Sequence, residues 1–224
     1  MTPQSSTNST KRRIFIVDDH PIVREGLAQL INNESDLTVC GKGEDPYQCI
    51  RAIKQAKPDL TLLDVSLKDS DGIELLKELR AQNQNYQILI LSMHDESLYA
   101  ERALRAGARG YIMKQEAPQT LLLAIRKVLQ GEVYVSDRMS AVLIQRMVGN
   151  KKPDGTLPMD RLTDRELEVF RMIGAGMSVK EIADKLFLSI KTIEAHREHI
   201  KEKLSIKSSS ELLRYAIRNA PGSL

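Results

Sequence analysis

From Arg13 to about Gly131, short apolar runs alternate with stretches whose apolar residues recur every three or four positions. The runs Ile14–Asp18, Leu37–Gly41, Leu60–Asp64, Ile88–Ser92 and Gly110–Met113 read as buried strands. Between them lie amphipathic stretches such as Gly72 to Ala81, where Ile73, Leu75, Leu76 and Leu79 fall at helical spacing. Strand–helix alternation implies right-handed crossovers and a mostly parallel sheet covered on both faces. The pattern predicts a flavodoxin-like, doubly wound, five-stranded α/β domain, whose ligands bind at the carboxyl ends of the strands.

The rhythm then changes. A helix is expected from Asp137 to Val148, and Gly149 to Pro158 carries the Gly and Pro punctuation of a linker. Beyond it no strand pattern occurs. Thr163-x-x-Glu166, Ser178-x-x-Glu181 and Ser208-x-x-Glu211 each set a hydroxyl at a helix start and a carboxylate three residues on. Ser189 can cap a further helix, so a small all-α domain should follow. In a helix over Ser189 to Ser205, Ile193, Ile200 and Leu204 share one buried line, flanked by His196 and Arg197. His196 reads as a packing residue. Lys191, Glu194, Ala195, Glu198 and Glu202 face the other way, with Lys201 at their margin. The short helix Ser178 to Leu186, a tight join and this longer helix have the order of a helix-turn-helix, whose second helix enters the major groove.

Composition narrows the classes. A length of 224 residues suits one or two domains, and a 42% hydrophobic share suffices for globular cores. Apolar runs such as Leu121 to Ile125 fall far short of the ~20 residues of a membrane span. No signal peptide opens the sequence, and its polar first residues are expected to be disordered. Cys40 and Cys49 form no metal pattern and read as free thiols of a cytoplasmic protein. Net charge is only +3, but Thr156 to the end carries 12 Lys+Arg against 10 Asp+Glu, whereas Ile14 to Gly155 carries 18 against 20. The second half is the better match for phosphates.

The chemistry lies where strands end. Asp18 and Asp19 close the first strand, Asp64 the third and Ser92 the fourth, while Lys114 follows the fifth. A parallel sheet brings these ends to one edge. Clustered carboxylates favour a hard cation such as Mg²⁺. An aspartate facing a phosphodonor there can act as a nucleophile and form an acyl phosphate, with the lysine ammonium on the transferring oxygens. His20, beside Pro21, reads as a helix start.

Asp18-Asp19-His20-Pro21, Leu62-Leu63-Asp64, Leu91-Ser92 and Gly110-Tyr111-Ile112-Met113-Lys114 resemble the signature of receiver domains of two-component signalling. The resemblance implies that Asp64 is the phosphoacceptor, that Asp18, Asp19 and the Ser66 carbonyl help Asp64 hold Mg²⁺, that Ser92 and Tyr111 are switch positions and that Lys114 binds phosphate. Leu67-Lys68 stands where many receivers carry Met-Pro, and Gln115 where many carry proline; neither change removes a reactive group. Leu162-Thr163, Arg165-Glu166, Lys180-Glu181-Ile182-Ala183, Lys191-Thr192-Ile193-Glu194 and Lys203-Leu204 resemble LuxR-type helix-turn-helix domains. The whole chain is similar to regulators of the NarL/FixJ type. This implies a tail over residues 1–11, a receiver over 12–131, a linker with a helix over 132–158 and a DNA-binding domain over 159–221. The DNA-facing set would be Lys191, Thr192, Glu194, Ala195, Arg197, Glu198 and Lys201. The implied partners are DNA, a sensor histidine kinase, a second copy upon phosphorylation and, further, RNA polymerase. A haloacid-dehalogenase-type phosphatase is disfavoured, because Asp64-Val65-Ser66 lacks an aspartate two residues after the nucleophile. A Gly-x-x-x-x-Gly-Lys loop for nucleotide hydrolysis is missing. The remaining rival is a DNA binder whose receiver serves only as an interaction module.

Overall fold

The computed structural model describes residues 11–65, 67, 72–148 and 161–219. Residues 1–10 of the expected tail, the expected metal ligand Ser66 and the linker stretch Gly149 to Pro158 lie outside the described residues. The chain divides into two compact units, Met1–Leu143 and Ile144–Leu224.

In the first unit, strands β1 (Arg12–Val17), β2 (Leu37–Gly43), β3 (Leu60–Asp64), β4 (Ile88–Ser92) and β5 (Gly110–Met113) alternate with helices α1 (Pro21–Asn32), α2 (Pro46–Ala56), α3 (Gly72–Gln82), α4 (Glu96–Arg105) and α5 (Pro118–Leu129). The strands are parallel, in the order β2-β1-β3-β4-β5. That is the flavodoxin-like order. β1 stops at Val17, so Asp18 stands just beyond the strand. β2 continues past Gly41 because the register slips between Ile14 and Phe15, leaving Cys40 as an extra residue and carrying the pairing on to Gly43. Such a bulge breaks the alternation that a pattern reading relies on.

One sheet face buries Ile14, Ile16, Leu62, Leu89, Leu91 and Ile112 against the apolar stripes of α1 and α5, including Ile31, Leu121 and Ile125. Phe15, Val17, Leu63 and Ile90 alternate to the other face and are equally buried. Each such side chain contributes about 1.5–3 kcal/mol through its burial. The sheet edge continues beyond residue 131, where the receiver was expected to end. Tyr134 forms a parallel bridge with Gly110, and α6 (Asp137–Val148) follows.

The second unit holds α7 (Asp164–Gly174), α8 (Val179–Leu186), α9 (Ile190–Lys203) and α10 (Ser209–Asn219). Complete capping boxes start α7 and α8, and the Ser189 hydroxyl accepts from Thr192 N at the head of α9. A cap of this kind contributes ~1 kcal/mol. The third box differs from expectation. Ser208 Oγ accepts from Glu211 N, but the Glu211 carboxylate accepts from Lys207 N, one residue further back. α9 ends at Lys203 and not at Ser205, because Ser205 turns left-handed at φ 56° while Ile206 N donates to Lys201 O and Ser205 N to Glu202 O. This closes the last turn as a Schellman motif. Ile182, Ala183, Ile193, Ile200, Leu212 and Ala216 turn inward with Val169 and Phe170.

Candidate functional site

Asp18 and Asp64 are each 1% exposed, an uncommon fate for carboxylates. What sustains them is Lys114, whose Nζ lies 2.7 Å from both Asp64 Oδ2 and Asp18 Oδ2. Burial works against the ammonium charge, but the Asp64 and Asp18 carboxylates outweigh it and hold the lysine pKa above its ordinary value. The lysine is placed by its backbone: Lys114 N donates to Ser92 O at 2.7 Å, tying the end of β5 to the end of β4. Across the site Gly72 closes the loop after β3 by donating its N–H to Val65 O. A Cβ there would lie 2.5 Å from Asp64 O and 2.6 Å from Val65 Cα, so the position beside Asp64 needs glycine.

The structure therefore brings Asp18, Asp19, Asp64 and Lys114 together. Ligand atoms of Asp18, Asp19, His20 and Asp64 all lie within 4.8 Å of one another. The residues fit a divalent cation on a second count. Asp18 Oδ2, although ion-paired, and Asp19 Oδ1, although 2.7 Å from His20 Nδ1, are buried oxygens on which no hydrogen-bond donor is aligned. His20 does start α1, as expected from Pro21. Its ring also reaches Asp19, which its place in the sequence did not signal.

Ser92 and Tyr111 are fully buried and converge on one residue, His94. Ser92 Oγ accepts from His94 N at 3.1 Å, the Tyr111 hydroxyl donates to His94 O at 3.0 Å, and the His94 ring stacks on Tyr99 with centroids 4.6 Å apart. His94 carries no motif; as a loop residue after a strand it escapes sequence reasoning.

On α9, Lys191, Glu194, Ala195 and Glu198 are exposed, as the helical wheel predicts. Thr192 is half-buried, its Oγ1 2.8 Å from Ser189 Oγ. Two members of the set sit differently. The Lys201 side chain is only 16% exposed and pairs with Glu198 at 2.8 Å. Arg197 is half-buried and borders a cavity of about 330 Å³ with Met177, Ser178, Ile182 and Leu213, and its Nε has no hydrogen-bond partner. His196 is half-buried as expected, and burial followed by the nearby Arg165 charge pushes its pKa down. Glu166 does more than cap. Its Oε2 accepts from Thr163 N and from Lys203 Nζ, each at 2.7 Å, which fastens the start of α7 to the last turn of α9. Burial would raise its pKa, yet Lys203 and Thr163 hold it below the usual glutamate value.

Two family profiles match this architecture: the response regulator receiver domain over residues 14–126, and the bacterial regulatory proteins of the luxR family over residues 160–216. The chain belongs to the NarL-family response regulators, in which a receiver is joined to a LuxR-type helix-turn-helix. The oxygen regulatory protein NreC of Staphylococcus aureus (strain JH9) is 39% identical over 210 residues, spanning 92% of this chain and 97% of NreC. RcsB from Salmonella enterica serovar Typhimurium, solved bound to promoter P1flhDC in the presence of the phosphomimetic BeF3⁻, is 27% identical with a TM-score of 0.56, covering 92% of this chain and 99% of RcsB. A structure of two RcsB dimers bound to two parallel DNAs matches at 27% identity and a TM-score of 0.56, over 93% of this chain and 99% of RcsB. The protein is thus a phospho-regulated transcriptional regulator. Among the described residues no helix is long and apolar enough to cross a membrane.

Proposed function

We propose that Asp64 accepts a phosphoryl group from the phosphohistidine of a partner kinase, and that this controls how the second unit binds specific promoter DNA. The observation that carries the reading is the buried Lys114 ammonium shared between Asp64 and Asp18 at the carboxyl edge of the sheet. An Asp64 oxygen attacks phosphorus, and the phosphorus–nitrogen bond of the donor breaks with its electron pair leaving on the imidazole. Lys114 gives up its hold on the attacking oxygen and turns to the phosphoryl oxygens it neutralises. Asp18, Asp19, Asp64 and the Ser66 carbonyl would hold Mg²⁺, which supplies further neutralisation of the phosphoryl charge when bound. Ser92 offers its hydroxyl to a phosphoryl oxygen, and Tyr111 follows it as the switch. The receiver speeds its own phosphorylation and dephosphorylation and turns over no separate substrate.

In the second unit Lys191, Thr192, Glu194, Ala195, Arg197, Glu198 and Lys201 form the DNA face. The lysines and Arg197 position the helix on phosphates, while glutamate and alanine suit a cytosine amino group and a thymine methyl. Leu213 and Ile217, apolar yet 40% and 48% exposed on α10, suit pairing with a second copy on a two-fold-symmetric site. RNA polymerase is a further partner at the promoter, and the cytoplasm is where these partners meet. The test is incubation with a small acyl-phosphate donor and Mg²⁺, followed by intact-mass measurement and titration of a selected DNA site. One phosphoryl group should add to the wild type and none to Asp64→Asn, and DNA affinity should rise with phosphorylation. Equal uptake by Asp64→Asn refutes the assignment. Equal DNA affinity and equal oligomeric size in both states leave the receiver as an interaction module only.

A further inference from the structure

α6 begins at an unusual anchorage. Ser136, the residue before it, caps the helix, its Oγ accepting from Met139 N at 3.1 Å and its carbonyl from Ser140 N at 2.8 Å. The Ser136 N–H itself is not left to water: it donates to Glu96 Oε1 at 2.7 Å, across 40 residues of sequence. Glu96 is the first residue of α4. It lies two residues after His94, on which Ser92 and the Tyr111 hydroxyl converge.

A second attachment reaches the same place through β5. Tyr134 N donates to Arg109 O at 3.0 Å, and Tyr134 O accepts from Tyr111 N at 2.9 Å, so the strand carrying the switch tyrosine also carries the chain entering α6. A third is hydrophobic: Met139, 2% exposed, is the one fully buried side chain among those described in α6. The division between the two compact units falls inside this helix, between Leu143 and Ile144. The start of α6 is therefore fixed by α4, by β5 and by the core, and its far end leads into the DNA-binding unit.

The geometry points to Glu96 as a positioning residue for output: it fastens the start of α6 to the head of α4, two residues after the loop residue His94, so that rearrangement at Ser92 and Tyr111 moves α6. Ordinary capping of a chain segment needs no such link, since a water molecule satisfies an exposed N–H at little cost. A charge-assisted bond from a distant carboxylate adds direction as well as energy. The inference rests on the phosphorylation reading above, and it adds a residue outside the phosphoryl site and outside the DNA face.

The experiment uses the full chain, an acyl-phosphate donor with Mg²⁺ and a DNA site selected with the wild-type protein. For each variant the phosphoryl uptake rate and the ratio of DNA affinities, phosphorylated to unphosphorylated, are measured. Wild type should show a ratio of at least about 5, the lower end for coupled sites. Glu96→Ala should take up phosphoryl at the wild-type rate while its ratio falls toward one. Glu96→Gln, which keeps an acceptor oxygen for Ser136 N, should recover most of the ratio, an outcome that a purely structural role for the charge does not give. Hydrogen exchange adds a local readout: the Ser136 amide should change protection on phosphorylation in wild type and exchange fast in both states of Glu96→Ala. A wild-type ratio of one sinks the phosphorylation reading together with this inference. A wild-type ratio that survives intact in Glu96→Ala overturns this inference alone.

Discussion

In the receiver, Asp18, Asp64 and Lys114 lie almost wholly out of water, with the lysine Nζ 2.7 Å from each carboxylate, whereas on α9 the side chains of Lys191, Glu194 and Glu198 stand in it. The same residue types therefore have opposite energetics. In a low-dielectric pocket each charge is tolerable only because of its neighbours, so the three act as a unit that a new charge forces to rearrange. On the helix face each charge is solvated and screened, contributes little to folding and remains open to an incoming partner. A switch needs the first arrangement, and a reading head needs the second.

The contrast is broken most severely by removing the central cation. Lys114→Met strands two buried carboxylates, and the receiver should lose about 3–5 kcal/mol of stability in chelator-treated protein. Mg²⁺ should restore part of that loss, as read from urea midpoints with and without the metal; a loss under 1 kcal/mol, or one indifferent to Mg²⁺, would mean that Lys114 is not the counter-ion. The second unit has its own buried charge in Glu166. Glu166→Gln should lower the stability of that unit by about 2 kcal/mol, since it weakens two charge-assisted bonds without creating a cavity.

The pH dependence gives this a sign. Glu166 titrates lower in the folded than in the unfolded chain, so its stabilisation is full above the unfolded value near 4.5 and is lost as pH falls through the folded one. The difference between wild type and Glu166→Gln should therefore shrink in acid. His196 acts in the same direction nearer neutrality. Its depressed pKa keeps stability full above the ordinary 6.5 and lets it decline as pH drops from there toward the folded value. A smaller effect is expected at Ser189, whose hydroxyl caps α9: Ser189→Ala should cost about 1 kcal/mol by thermal melting of the second unit. Smallest of all is Lys191→Ala. Its stability should change by less than about 0.5 kcal/mol, as for other exposed positions. Its DNA affinity should weaken evenly across sequences, with the salt slope smaller by about one. A large stability loss there would blur the contrast between the units.

The parallel sheet was legible because apolar runs of strand length alternate with helical periods, and its topology then forces Asp18, Asp64 and Lys114 to one edge. Capping chemistry was legible where the box is regular, at Thr163 and Ser178, but Glu211 reached to Lys207, a choice set by the local backbone path and not by residue spacing. The helical wheel placed Glu194 and Ala195 outward correctly. It did not anticipate that Glu198, three residues before Lys201, would draw that lysine down against the helix. Nor did any periodicity announce Tyr134 beside β5, or Ser136 at Glu96. Such pairings join segments far apart in sequence through backbone N–H and C=O groups that every residue type carries, and at Glu96 through a carboxylate whose spacing in the sequence gives no hint of its partner.

The strand order also bears on how the protein reaches its native state. β1 lies between β2 and β3, with Ile14 paired to both Val39 and Leu60, and each step from one strand to the next passes through a helix. No two neighbouring strands can zip from a tight turn, and long segments must be brought together before any pairing compensates for their lost freedom. The helical unit starts from locally capped segments. On dilution from denaturant it should regain its structure before the receiver does, although during synthesis it emerges after the receiver. For an interval in refolding, the chain would then possess a formed DNA-binding head with an unfinished receiver.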